Sequence, residues 1–209
     1  MTPLLIAFLA VLLLPLFIAS WRTSLVGLSC QGALMGWIAY RHDHHLSVHT
    51  ILTFVDLFAV RAIAAPLFLY RVLRSQKAPS RNDVIPPNML SWTFAIVLVV
   101  FAFQFAGVVV PVESDEQTLV AVSASGLLLG LLVLSTQSVP FSQMIGALRL
   151  ENAIALFELG NPSHHEAIGI RLGQTAVLLI SVVMFAWYLR TLKNSPVGTL
   201  VEAKSAAVP

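Results

Sequence analysis

Three charged residues and one amide inside a single apolar stretch carry the chemistry this sequence can do. The stretch reads Ile145-Gly-Ala-Leu-Arg149-Leu-Glu151-Asn152-Ala-Ile-Ala-Leu-Phe-Glu158. Read as a helix, it places Glu151 and Glu158 about 20° from a common face, with Leu148 and Ala155 on the same stripe. Arg149 stands roughly 160° from Glu151, so the two are poorly placed to pair within the helix. An ionisable group at bilayer depth costs several kcal/mol unless it is paired or hydrated. Each therefore needs a partner on another helix or in a hydrated channel. Carboxyls held at such depth are the usual members of proton relays, and Glu151 with Asn152 is the first candidate, Glu158 the second. A plainer reading makes Arg149, Glu151 and Asn152 polar staples between helices and lets Glu158 reach the interface.

A second charged pair lies upstream. Asp56 and Arg61 are five residues apart, about 140° around an α-helix, which is not the i,i+4 arrangement of a helical ion pair. Arg61 precedes Pro66, whose missing N–H loosens the turn before it. The pair either modulates a passing acid or joins Arg61 to an acid of a neighbouring helix or subunit. His45, His49 and Asp56 share a face at spacings of four and seven, and His42 and His44 stand nearby. That cluster raises metal binding, but link histidines are commonly just exposed, and no metal site is assigned. His49 is read as part of a possible hydrated entrance. Arg171 with Gln174 either lines an entrance or contacts a partner chain, while His164 and His165 are link residues.

The elements that must position these groups follow from composition. The chain has 209 residues, 57% hydrophobic and only 11% charged, against roughly 25% charge in a soluble domain. Its mean hydropathy is +0.85. Disorder, a coiled coil, a disulfide scaffold and most soluble folds are excluded. A single cysteine, Cys30, leaves no internal disulfide and no iron–sulfur centre held by this chain alone. A net charge of +2 is too mild to suggest nucleic acid. Apolar runs cover 3–20, 24–40, 46–69, 89–112, 117–134, 141–159 and 167–189. The expected fold is all-α, a polytopic membrane protein of about seven transmembrane helices. Residues 1–112 form a four-helix region, 113–189 a three-helix region and 190–209 a mobile polar tail. The first run lacks a basic stretch before it and a cleavage site after it, so it reads as a retained helix. Gly32 and Gly36 make a small-xxx-small face for close helix contact. The link 70–88 is mostly non-helical, because Pro79, Pro86 and Pro87 interrupt it. Its bases, Arg71, Arg74, Lys77 and Arg81, place the N-terminus outside and the C-terminus inside. No nucleotide loop, nucleophile elbow, haem-attachment or zincin motif occurs.

Two stretches resemble a known family. Arg149-Leu-Glu151-Asn152-Ala-Ile-Ala-Leu-Phe is similar to the sixth helix of the hydrogenase-4 component E family. Thr53…Arg61-Ala-Ile-Ala-Ala-Pro66-Leu-Phe-Leu-Tyr-Arg71 is similar to that family's Thr-rich third helix, which carries a mid-membrane lysine before Ile-Pro. The resemblance implies a membrane-arm subunit of formate hydrogenlyase-like and complex I-like assemblies. Its last three helices would correspond to the small K component of respiratory complex I and to its counterpart in multisubunit sodium/proton antiporters. Glu151 takes the family's acid beside asparagine, and Arg61 takes the lysine position. Arginine hardly deprotonates, so position 61 becomes a fixed positive charge here. The seventh helix also lacks the further acid of those small relatives, which leaves Glu151, Glu158 or partner residues to carry any path.

The resulting expectation is a non-catalytic subunit of the prokaryotic inner membrane, without a cofactor of its own, in a proton- or sodium-translocating oxidoreductase complex. Its partners would be antiporter-like subunits, a quinone-binding-like or hydrogenase-anchoring subunit, a peripheral redox module and lipid. A structural membrane adaptor and a small self-contained transporter are the alternatives.

Overall fold

A computed structural model describes residues 2–17, 21–42, 48–75, 89–110, 114–136, 140–159 and 168–193. Among these, every residue except Val110 and Ser114 is helical. The helices are α1 (Thr2–Phe17), α2 (Trp21–His42), α4 (Met89–Val109), α5 (Asp115–Thr136), α6 (Pro140–Leu159) and α7 (Ile168–Lys193). Between α2 and α4 runs α3, one rod in three segments: Val48–Phe54, a π-helical stretch Val55–Ala64, and Ala65–Ser75.

Each expected apolar run holds one helix. Among the described residues, Thr50–Arg74, Trp92–Val109, Asp115–Thr136 and Leu172–Thr191 are long and apolar enough to cross a membrane, and Thr2–Leu13 is a shorter apolar segment. Helices α2 and α6 fall outside that set because polar residues dilute them: Arg22, Gln31 and Arg41 in one, Arg149, Glu151, Asn152 and Glu158 in the other. The link expected from Tyr70 onward begins later than the sequence suggests. Helix α3 continues to Ser75 because Val72 and Leu73 are buried in its last turns.

Helix α2 is central, packed against α1, α3 and α6. Helices α5 and α6 form a tight pair through small residues. A Cβ on Gly130 would lie 2.9 Å from Leu150 Cγ and 3.2 Å from the Gly146 carbonyl. Helix α4 packs on α5, and α7 lies against α3 and α6. Both show broad apolar outer faces, among them Phe101 and Phe105 on α4 and Ile180 and Val183 on α7. The hydroxyl and the backbone N–H of Thr2 both donate to Asp115 Oδ1, joining the start of α1 to the start of α5.

The buried apolar residues form two main clusters. One gathers Leu5, Phe8 and Leu12 of α1 with Met35, Leu57, Leu129 and Leu156. The other gathers Leu25 and Leu28 with Ala65, Leu69, Leu148 and Leu178. Three helices cross from one cluster to the other, and each carries a buried polar residue at the crossing. Gln31 stands between Leu28 and Met35, Arg61 between Leu57 and Ala65, and Asn152 between Leu148 and Leu156. A polar layer thus separates two apolar ones.

Candidate functional site

The polar layer centres on Arg61, of which only 4% is exposed. Its guanidinium addresses three groups. Nε donates to Asp56 Oδ2 at 3.0 Å, and Nη1 donates to Asn152 Oδ1 at 3.2 Å. Nη2 lies 3.8 Å from Glu151 Oε2. The second oxygen of Asp56 accepts from the Thr175 hydroxyl at 2.8 Å, which brings in α7. Asn152 Nδ2 donates over a long 3.4 Å to Gln31 Oε1, which brings in α2.

The Asp56–Arg61 contact corrects the spacing argument. Five residues carry the chain 140° past a full turn in an α-helix, which would hold the two apart. A π-helix bonds i to i+5, about 4.4 residues per turn, so five residues overshoot a turn by only about 50°. The Ala65 N–H bonds to the Val60 carbonyl in this wider register. Pro66 supplies a local cause. In α geometry its ring would crowd the Ala62 carbonyl four residues earlier, and it has no N–H to offer. Widening the turns before it relieves that clash and stacks Arg61 on Asp56.

Gly32 lets α2 reach this segment. A Cβ there would lie 2.5 Å from the Ala62 nitrogen and 2.7 Å from its Cα, both backbone atoms. The small-xxx-small face is therefore a close-approach surface at position 32, directly beside Arg61. At Gly36 the same atom would come no closer than 3.4 Å, to the Phe58 side chain, with the Phe58 nitrogen at 3.8 Å.

Of the residues singled out from sequence, Asp56, Arg61, Glu151 and Asn152 come together. Glu151 is the open member, with a third of its side chain exposed against 3% for Arg61. Glu158 stands apart from this group and accepts from Gln174 Nε2 at 2.6 Å. Arg149 is 2% exposed, and among the described residues its Nε has no hydrogen-bond partner. Gln31 Nε2 and Ser123 Oγ are likewise buried without a partner among the described residues. The side chains of His49 and Arg171 lie outside the described residues, as do those of His42, His44, His45, His164 and His165. Among the described residues, no three His, Cys, Asp or Glu side chains gather as metal ligands would.

Sequence reasoning missed Gln31 and Thr175. Neither is charged, so neither stands out in an apolar run. Their signals were positional: Gln31 adjoins the close-contact Gly32, and Thr175 adjoins Gln174.

Chemically, the layer pairs one cation with two carboxylates. Asp56 is held from two sides, while Glu151 is held at longer range and is one-third exposed. Such a site holds one carboxylate firmly and leaves the other more accessible. Comparisons with protein-family models, with curated proteins and with solved structures gave no match.

Proposed function

We propose that this chain is a non-catalytic integral membrane subunit, crossing the bilayer about seven times, in a complex I-like or group 4 hydrogenase-like assembly. The supporting observation is Arg61 joined to Asp56, Asn152 and Glu151 midway along its helix, between two apolar clusters. In this reading Glu151 exchanges protons with a hydrated path, and Arg61, 3.8 Å away, sets the local field with its fixed positive charge. A redox event elsewhere in the assembly changes that field and shifts the proton onward. The chain sits in a prokaryotic inner membrane with its N-terminus outside. Its neighbours are antiporter-like subunits and a quinone-binding-like or hydrogenase-anchoring subunit.

The test is extraction in mild detergent with mass spectrometry of the co-purifying chains, followed by Glu151→Gln in the intact assembly. Recovery with antiporter-like subunits and a redox module is expected, with ion translocation lost in the variant while the assembly persists. Reproducible recovery as a lone monomer or homodimer sinks the reading. The second reading, a structural adaptor, is favoured by the burial of Asp56, Arg61, Asn152 and Gln31. It requires that Glu151→Gln leave coupling intact.

A further inference from the structure

Three arginines end two adjacent helices at one edge of the bundle. Arg22 stands in the first turn of α2, and Arg71 and Arg74 stand in the last turns of α3, all exposed. The two helix ends lie side by side. The Trp21 and Tyr70 rings are 5.7 Å apart between centroids, and Leu25, Leu69 and Leu73 share one buried cluster. The Arg22 guanidinium sits 5.3 Å from the centre of the Trp21 ring, a cation–π contact that keeps it at this edge. No acid occurs in residues 21–31 or 65–75, so nothing within these two stretches neutralises the three charges.

Outward-facing apolar surface adjoins these arginines on both helices. On α3, Ile63 and Leu67 are about half exposed and lie on one stripe with Arg71 and Arg74. On α2, Val26 is 60% exposed one turn from Arg22. The stretch 50–74 is long and apolar enough to span a membrane, and Arg71 and Arg74 fall at its end. An apolar stripe that ends in cations is complementary to one kind of molecule: an amphiphile with a negative head and hydrocarbon tails.

We infer that this edge binds an anionic phospholipid, its phosphate among Arg22, Arg71 and Arg74 and its acyl chains along Val26, Leu67 and Ile63. The inference rests on the chain being embedded in a bilayer, as proposed above, but on no partner subunit or ion path. Basic residues at a membrane surface add roughly fivefold each to the affinity for anionic lipid, and salt weakens the effect.

The test uses the full chain in mild detergent, incubated with phosphatidylglycerol or with phosphatidylcholine of the same acyl composition. Bound lipid is read by native mass spectrometry. Phosphatidylglycerol should be retained in preference, and Arg22→Gln, Arg71→Gln and Arg74→Gln should each lower its apparent affinity about fivefold. Arg41→Gln, at the other end of α2, should leave the preference unchanged, and so should millimolar inorganic phosphate. Single variants keep the fold testable, since all three side chains are exposed. Equal retention of the two lipids, or an equal loss with Arg41→Gln, overturns the site. Displacement by inorganic phosphate shows an anion site without lipid and also overturns it. A chain recovered without detergent in the soluble fraction defeats both this inference and the membrane reading. A chain that stays membrane-bound but ignores headgroup charge defeats only this one.

Discussion

Gly32→Ala is the sharpest probe of how the polar layer is built. The added Cβ would stop 2.5 Å from the Ala62 nitrogen, about 0.9 Å short of ordinary contact at 3.4 Å. Both of its nearest obstacles are backbone atoms of the π-helical segment, so no side chain can rotate aside. Helices α2 and α3 must part or slide, and the Asn152–Gln31 bond, already 3.4 Å long, breaks first. Overpacking of this kind costs roughly 1–3 kcal/mol. In a chain of this size that lowers the unfolding midpoint by about 2–4 °C per kcal/mol. Gly36→Ala is the control, because its Cβ meets the Phe58 ring edge, Cβ and backbone N at 3.4, 3.5 and 3.8 Å, all ordinary contact distances. It should match the parent or be more stable by up to about 1 kcal/mol, the helix-propensity gain of Ala over Gly. Thermal unfolding of the two variants in the same detergent decides the matter. If Gly32→Ala is as stable as Gly36→Ala, the helices are not in backbone contact at Ala62, and the account of why Arg61 sits where it does is wrong.

Arg61→Met strands two carboxylates and should destabilise the chain by about 3–5 kcal/mol, whereas Arg61→Met with Asp56→Asn and Glu151→Gln should recover most of that loss in the same unfolding assay. Thr175→Val removes the second hold on Asp56 and should cost about 0.6–1.7 kcal/mol, the range for hydrogen bonds between membrane helices; no change would mean that the bond contributes nothing. Gln31→Met deletes a buried unpartnered donor along with one long acceptor contact. It should be neutral within about 1 kcal/mol or stabilising, and a loss above about 2 kcal/mol would point to a buried water that the glutamine holds.

Apolar runs locate helices because length and hydropathy are local properties, and each of the seven runs contains one. The need of Glu151 for a partner on another helix was also legible, because the arc to Arg149 is fixed by helix geometry alone. The identity of that partner was not. Arg61 and Asn152 are 91 residues apart in the chain, and their meeting depends on how two helices rotate about their axes. Nothing in either segment encodes that rotation; Gly32, on α2, marks only where α2 can approach α3 most closely. The Asp56–Arg61 pair failed for a different reason. An arc of 140° holds only at 3.6 residues per turn, and Pro66 marks where that pitch gives way over the preceding segment.

The geometry around Arg61 also separates what is structural from what can move. Its contacts lengthen outward, from 3.0 Å at Asp56 through 3.2 Å at Asn152 to 3.8 Å at Glu151. A planar guanidinium can hold all three at once because its donors diverge in a fixed fork, and it keeps its charge throughout. Neutralising Asp56 would remove the innermost ion-pair partner, weaken the tie to Thr175 and leave the cation leaning on the part-exposed Glu151. Neutralising Glu151 would leave Arg61 still held by Asp56 and Asn152, with little change in packing. The charge of Glu151 can therefore be removed without loosening the layer, because Asp56 and Asn152 still hold Arg61. It follows that Glu151→Gln and Asp56→Asn must behave differently. The first should keep stability close to the parent, since an ion pair this long and this exposed contributes at most about 1 kcal/mol. The second should lose stability whether or not any ion is ever moved.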